Sequence, residues 1–191
     1  MKKIVIIGAN DFQNQLILKA KEMGFETHVF AWKDGSVGER TADYFYPISI
    51  VETKQILEKC REIKPDAVAS IASDLANITV SKVASGLGLP CNSQECIRLS
   101  TNKYAMREAF TQARIATPRF YRVDRIEPYL FGMKLPIIVK PTDRSGSRAI
   151  TKITDFENLE QAIRDAVAQS FCKEAIVEEY IEGEEYSYET I

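Results

Sequence analysis

Two lysines, a loop of small residues and a string of glutamates carry the chemistry that this sequence could do. Lys140 closes the apolar run "PIIVK", and Lys103 opens a helical stretch in "STNKYAMREAF". Two cations far apart in sequence but neighbours in space are what a nucleotide's phosphates need. Directly after Lys140 comes "PTDRSGSR", in which Ser145, Gly146, Ser147 and Arg148 offer backbone N–H donors without bulk and could fold over a phosphate as a flap. The segment from Asp143 to Arg148 is therefore expected to be poorly ordered without a nucleotide. Further on, "VEEYIEGEEYS" sets Glu178, the backbone of Ile181 and Glu185 along a strand and its turn. A carboxylate accepts hydrogen bonds from an exocyclic amine or from ribose hydroxyls, and a strand's N–H and C=O can pair with an adenine edge. Taken singly, each feature also reads as a solvated lysine, a hairpin loop or an exposed strand face. Their joint occurrence, in this order and with apolar strands between them, points to one ligand.

The elements that must position these groups change in style along the chain. "KIVIIG" is a continuous apolar strand ending on Gly8, "QNQLILKAKEMG" an amphipathic helix stopped by Gly24, and "FETHVFAW" the next strand. The alternation continues with a short strand near "DYFYPI", a helix over about 52–63, the strand "DAVASIA" and a helix over about 75–87. This predicts an α/β fold: a Rossmann-like parallel sheet over residues 1–92, which binds ligands at the carboxyl ends of its strands. Residues 93–191 read as a partial α+β unit. It has helices at 93–99 and 102–113, a helical piece near 124–132, strands at 136–140 and 148–153, and a helix at 155–169. Two further strands, "EAIVEEYI" and "EEYSYETI", turn at Gly183. The last strand reaches Ile191 with no closing element, and the expectation is a domain that continues in a longer polypeptide.

Composition removes several classes of function. With 45% hydrophobic residues in 191 the chain can bury a real core, and 25 basic against 27 acidic side chains leave no general attraction for nucleic acid or anionic lipid. No segment has the length and apolarity of a membrane span. The four cysteines form no CxxC pair and read as reduced thiols of a cytoplasmic protein, and a single histidine, His28, argues against a His-dependent triad or a multi-His metal site. A dinucleotide-binding reading of "IIGANDFQNQ" fails on two counts. Only Gly8 stands where three glycines are wanted, and Ala31, Trp32 and Lys33 stand where an acid should grip the ribose. Asn10, Asp11, Ser73 and Asp74, at strand ends of the first half, are candidate substrate contacts and equally candidate helix caps.

The order "STNKYAMREAF", "TPRF", "PIIVKPTDRSGSRAI", "IVEEYIEGEEYS" resembles the ATP-grasp ligases. "GLGLP" just upstream resembles the exit from their preceding substrate-binding domain. The likeness runs from Lys3 to Ile191. In detail it is nearest to the branch of the carbamoyl-phosphate synthetase large subunit and glycinamide ribonucleotide synthetase. The resemblance implies that Lys103 contacts the α-phosphate, that Lys140 contacts the phosphates near the adenine N7 side, and that Ser145, Gly146, Ser147 and Arg148 form the mobile phosphate loop. Glu178 would lie by the adenine amino group, Ile181 would hydrogen-bond the ring through its backbone, and Glu185 would hold the ribose. ATP and magnesium are the implied cofactors, with the metal ligands and a transition-state arginine expected beyond residue 191. Small carboxylate and amine substrates are the implied partners, and a homodimer is compatible. The implied reaction is ligation through an acyl phosphate, with this chain inactive alone. The alternative is a non-catalytic nucleotide-binding or regulatory module. The loop departs from the family in having one glycine, with Ala149 where many relatives have another.

Overall fold

Val5, Ile6 and Ile7 have no exposure to solvent, because the strand they form is central in its sheet and covered on both faces. The computed structural model describes residues 1–186, which belong to two compact units, Met1–Arg98 and Leu99–Ile191. The first unit runs β1 (Lys3–Ile7), α1 (Asp11–Glu22), β2 (Glu26–Phe30), α2 (Gly38–Thr41), β3 (Tyr44–Tyr46), α3 (Thr53–Ile63), β4 (Ala67–Ala69) and α4 (Asp74–Gly86). Its sheet has the order β3-β2-β1-β4 and every pairing is parallel, with Val5 level with His28 on one side and Val68 on the other. His28 is buried in β2, stacked on Tyr44 and hydrogen-bonded to Tyr46 and Glu26, so it serves the packing of this sheet.

Helix α5 (Gln94–Thr101) is followed by the second unit's α6 (Lys103–Gln112), β5 (Phe120–Val123), β6 (Ile137–Pro141), β7 (Thr151–Ile153), α7 (Leu159–Gln169) and β8 (Ala175–Glu179). Here the sheet order is β5-β8-β6-β7 and all pairings are antiparallel. Leu159, Ala162, Ile163 and Ala166 form one apolar stripe on α7, which packs against Ile137, Val139, Ala175 and Val177. Because side chains alternate along a strand, Ile138 and Lys140 on β6 and Ile176 and Glu178 on β8 belong to the opposite face of the sheet.

The structure corrects three element boundaries. The helical piece read near 124–132 is a 3₁₀ turn confined to Pro128–Gly132. The strand read from 148 begins only at Thr151, since Ser147 and Ala149 have φ of +54° and +50°, which extended backbone does not allow. The helix read from 155 begins as a 3₁₀ turn, Phe156–Asn158, capped by Asp155, and becomes α-helical at Leu159. Of the strand read at 184–191, residues 187–191 lie outside the described residues. Among the described residues no helix is long and apolar enough to cross a membrane.

Two consequences can be measured in the first unit. A Cβ on Gly38 would stand 2.8 Å from the Ala9 carbonyl oxygen and 2.9 Å from Ile17 Cδ1, so Gly38→Ala is expected to cost roughly 1–3 kcal/mol in urea unfolding. An unchanged midpoint would contradict this close approach. The Asp43 carboxylate accepts hydrogen bonds from Lys21 Nζ (2.7 Å) and from Thr27 N (2.9 Å) and Oγ1 (2.8 Å). The Lys21 hydrogen bond is the main influence holding its pKa down at about 2. A depressed carboxylate stabilises the fold above its unfolded pKa, and that contribution is lost as pH falls through the folded value. Stability is therefore expected to drop between about pH 4 and about pH 2, and less steeply in Asp43→Asn. Identical slopes for the two proteins would remove Asp43 from the acid transition.

Candidate functional site

The sheet face opposite α7 carries a carboxylate that solvent barely reaches. Glu178 is 4% exposed, at the centre of an arrangement built by three elements. Ile138 of β6 is its partner in register, so Lys140, two residues on, is its diagonal neighbour on the same face. The Lys140 ammonium donates to Glu178 Oε1, and Arg107 Nε, from the second turn of α6, donates to Oε2 at 3.0 Å. Burial alone would raise the Glu178 pKa. Hydrogen bonds from Arg107 and then Lys140 outweigh it, and the carboxyl is held below its ordinary value.

Helix α6 is fastened to the end of β6. Asn102 caps it by accepting from Ala105 N at 2.9 Å, and Lys103 N donates to the Thr142 carbonyl at 2.7 Å. This bond places the start of α6 beside the residues that follow Lys140. The Lys103 ammonium in turn donates to the Arg144 carbonyl in the loop. Lys103, Lys140 and the loop are thus brought to one end of the sheet, and from there the Lys140 side chain reaches back to Glu178, which is level with Ile138.

The loop has a fixed root and an exposed tip. Asp143 accepts from Ser170 Oγ (2.9 Å), Phe171 N (3.1 Å) and Cys172 N (2.8 Å), and these bonds outweigh its burial to keep its pKa low. The Arg144 guanidinium lies 4.4 Å from the centre of the Phe171 ring. Ser145, Gly146, Ser147 and Arg148 are exposed, with Gly146 at φ +72° and Ser147 at +54°. Of the segment read as a flap from Asp143, the structure therefore ties down the first two residues.

At the other end of β6, Ile181 is 65% exposed and lines a cleft of about 540 Å³ with Lys134, Pro136, Tyr180 and Glu182. Tyr180 N donates to the Pro136 carbonyl at 3.2 Å, and Lys152 Nζ stands 3.5 Å above the Tyr180 ring. Glu185 is exposed beyond this cleft in sequence. In the first unit, Asn10 caps α1 by accepting from Phe12 N and Gln13 N, and Ser73 caps α4 by accepting from Ala76 N. Asp11 and Asp74 are the first residues of those helices. Asn10 and Ser73 also line a small cleft with Gly8, Gln13, Trp32 and Asp34 at the carboxyl ends of the strands. Gln13 is buried across the Gly8 turn, where a Cβ on Gly8 would meet it at 3.0 Å.

Arg107 is the residue that the sequence reading passed over, and Asp143, read there as the start of the flap, is instead its anchor. Arg107 lies four positions after Lys103, the helical spacing that sets two side chains on one face, and this was the available signal.

Residues 100–191 match the ATP-grasp domain. A formate-dependent phosphoribosylglycinamide formyltransferase of Prochlorococcus marinus is 23% identical over 187 residues, covering 94% of this chain and 48% of that protein. The chain spans about half the length of the curated relatives it matches. Among solved structures, the phosphoribosylglycinamide synthetase of Anaerococcus prevotii is similar with a TM-score of 0.66 and 26% identity, over 95% of this chain and 46% of that one. The N5-carboxyaminoimidazole synthetase of Staphylococcus aureus complexed with ADP has a TM-score of 0.71 at 17% identity, over 94% and 48%.

If Lys140 holds Glu178 in place, Lys140→Met leaves a buried carboxylate with one partner and is expected to lose about 2 kcal/mol in urea unfolding. The same substitution in a Glu178→Gln background should lose clearly less. Equal losses in both backgrounds would mean that the pair does not account for the effect.

Proposed function

Since residues 100–191 match the ATP-grasp domain, we propose that this chain is the adenine-nucleotide-binding part of an ATP-dependent carboxylate–amine ligase working through an acyl phosphate. The observation that carries the reading is the Lys103 N to Thr142 O bond, which sets the start of α6, and with it Lys103, against the end of β6 where Lys140 stands. From Lys140 back to Pro136 the strand covers about 13 Å, at roughly 3.3 Å per residue. Base, sugar and phosphates of one nucleotide can lie along such a length. The base would take the cleft of Pro136, Tyr180 and Ile181, with the Ile181 backbone and Glu178 facing its edge. The phosphates would take Lys140, Lys103 and the N–H groups of Ser145–Arg148, and Glu185 would reach the ribose.

In this arrangement the protein's own groups act by position and charge. Lys103 and Lys140 would hold the phosphate oxygens in line and offset the charge that builds up during transfer to a carboxylate. The loop would exclude water. An amine would then displace phosphate from the acyl group. The resemblance brings magnesium with the nucleotide, and the metal would add to the neutralisation. Among the described residues no cluster of three or more His, Cys, Asp or Glu could hold a metal, so none is assigned to it. The relative solved with ADP supports the nucleotide, and the two phosphoribosylglycinamide relatives support a place on their side of the family and a small amine acceptor. Asn10, Asp11, Ser73 and Asp74 are the proposed contacts for that acceptor.

Calorimetric titration with ADP, run beside a phosphate-release assay with ATP and magnesium, tests the proposal. This chain is expected to bind ADP weakly and to release no phosphate, and Lys140→Ala and Lys103→Ala should each weaken binding about tenfold or more. Binding that neither substitution affects would place the nucleotide elsewhere. Robust phosphate release unaffected by Lys140→Ala would overturn the site as well.

A further inference from the structure

Glu178 has two cationic partners, and the nucleotide reading asks for one of them. In the structure the Lys140 ammonium is committed to Glu178 Oε1 and Arg107 Nε to Oε2. Among the described residues these are the charged groups recorded against Glu178: Arg107 from α6 and Lys140 from β6. Its neighbours in register, Phe120 on β5 and Ile138 on β6, are apolar. A phosphate that draws Lys140 toward itself weakens one of the two bonds. Without a second cation this would strand a carboxylate that is 4% exposed, and a buried, unpaired carboxylate either penalises the movement or takes up a proton.

We propose that Arg107 is a positioning residue, which keeps Glu178 paired and ionised while Lys140 turns from the carboxylate to the phosphates of the nucleotide. This rests on the nucleotide reading of Lys140. Arg107 suits the task for two reasons. It approaches the carboxylate from a different element, so movement of Lys140 on β6 does not displace it. Its guanidinium also carries a positive charge in a half-buried place beside the carboxylate. Arg107 touches no nucleotide in this scheme and acts through Glu178 alone.

The test is calorimetric titration of this chain with ADP in two buffers of different ionisation enthalpy near neutral pH, which reads affinity and proton uptake together. Wild type and Arg107→Lys are expected to bind with the same proton uptake. Arg107→Met should bind about tenfold or more weakly and take up a substantial part of one additional proton, which a merely structural arginine would not cause. A second comparison keeps the test open should Arg107→Met fail to fold. Arg107→Met/Glu178→Gln has no carboxylate to strand, and it should match Glu178→Gln in affinity to within about threefold. If wild type binds ADP while Arg107→Met equals it in affinity and proton uptake, the inference falls and the nucleotide reading stands. A loss in the double variant as large as that of Arg107→Met would assign Arg107 a direct contact with nucleotide and would also overturn the inference. If wild type binds no ADP, both readings fall.

Discussion

A carboxylate withdrawn from water between two cations is the constraint on which the second unit turns. Glu178 is buried with Arg107 and Lys140 holding its two oxygens, and each comes from a different element, because a carboxylate withdrawn from water needs a cationic partner to stay ionised. The pairing therefore fixes more than a charge. It sets α6 over one face of the sheet, as the apolar stripe of α7 sets that helix over the other. It also orients Lys140 at the strand end where the loop begins. Polar contacts on one face and apolar packing on the other leave a surface on which cations are placed before any ligand arrives.

The first unit is organised by a different rule. Its parallel sheet is buried on both faces, and at its helix starts Asn10 and Ser73 cap helices while Gln13 packs across the Gly8 turn. A turn filled by a glutamine side chain has little in common with the glycine-rich turn that cradles a dinucleotide. The structure thus gives a physical reason for the poor match of "IIGANDFQNQ" to that motif.

Much of this was legible in the residues. The parallel sheet could be read from its continuous apolar strands, and α7 from the spacing of Leu159, Ala162, Ile163 and Ala166. The strand ends of β6 and β8 were marked by Lys140 and Glu178. What could not be read was which groups meet across the sheet. Register is a property of pairing, and Lys140 becomes the diagonal neighbour of Glu178 only because Ile138 faces it. Arg107 was hidden for the same reason: on its own helix it looks like any exposed cation, and its partner lies 71 positions away. The late start of β7 also escaped, because no rule of composition assigns a positive φ to Ser147 and Ala149.

The root of the loop has a consequence of an entropic kind. With Asp143 tied to Ser170, Phe171 and Cys172 and Arg144 laid on the Phe171 ring, the part of the loop left to be ordered shrinks to Ser145–Arg148. Freezing a backbone residue costs roughly 1–2 kcal/mol, so each residue anchored in advance is one whose freedom need not be given up when the loop closes. A short tether also limits where its tip can travel. Closure over a phosphate, as proposed above, would be a small swing about a fixed base and not a search by a free chain.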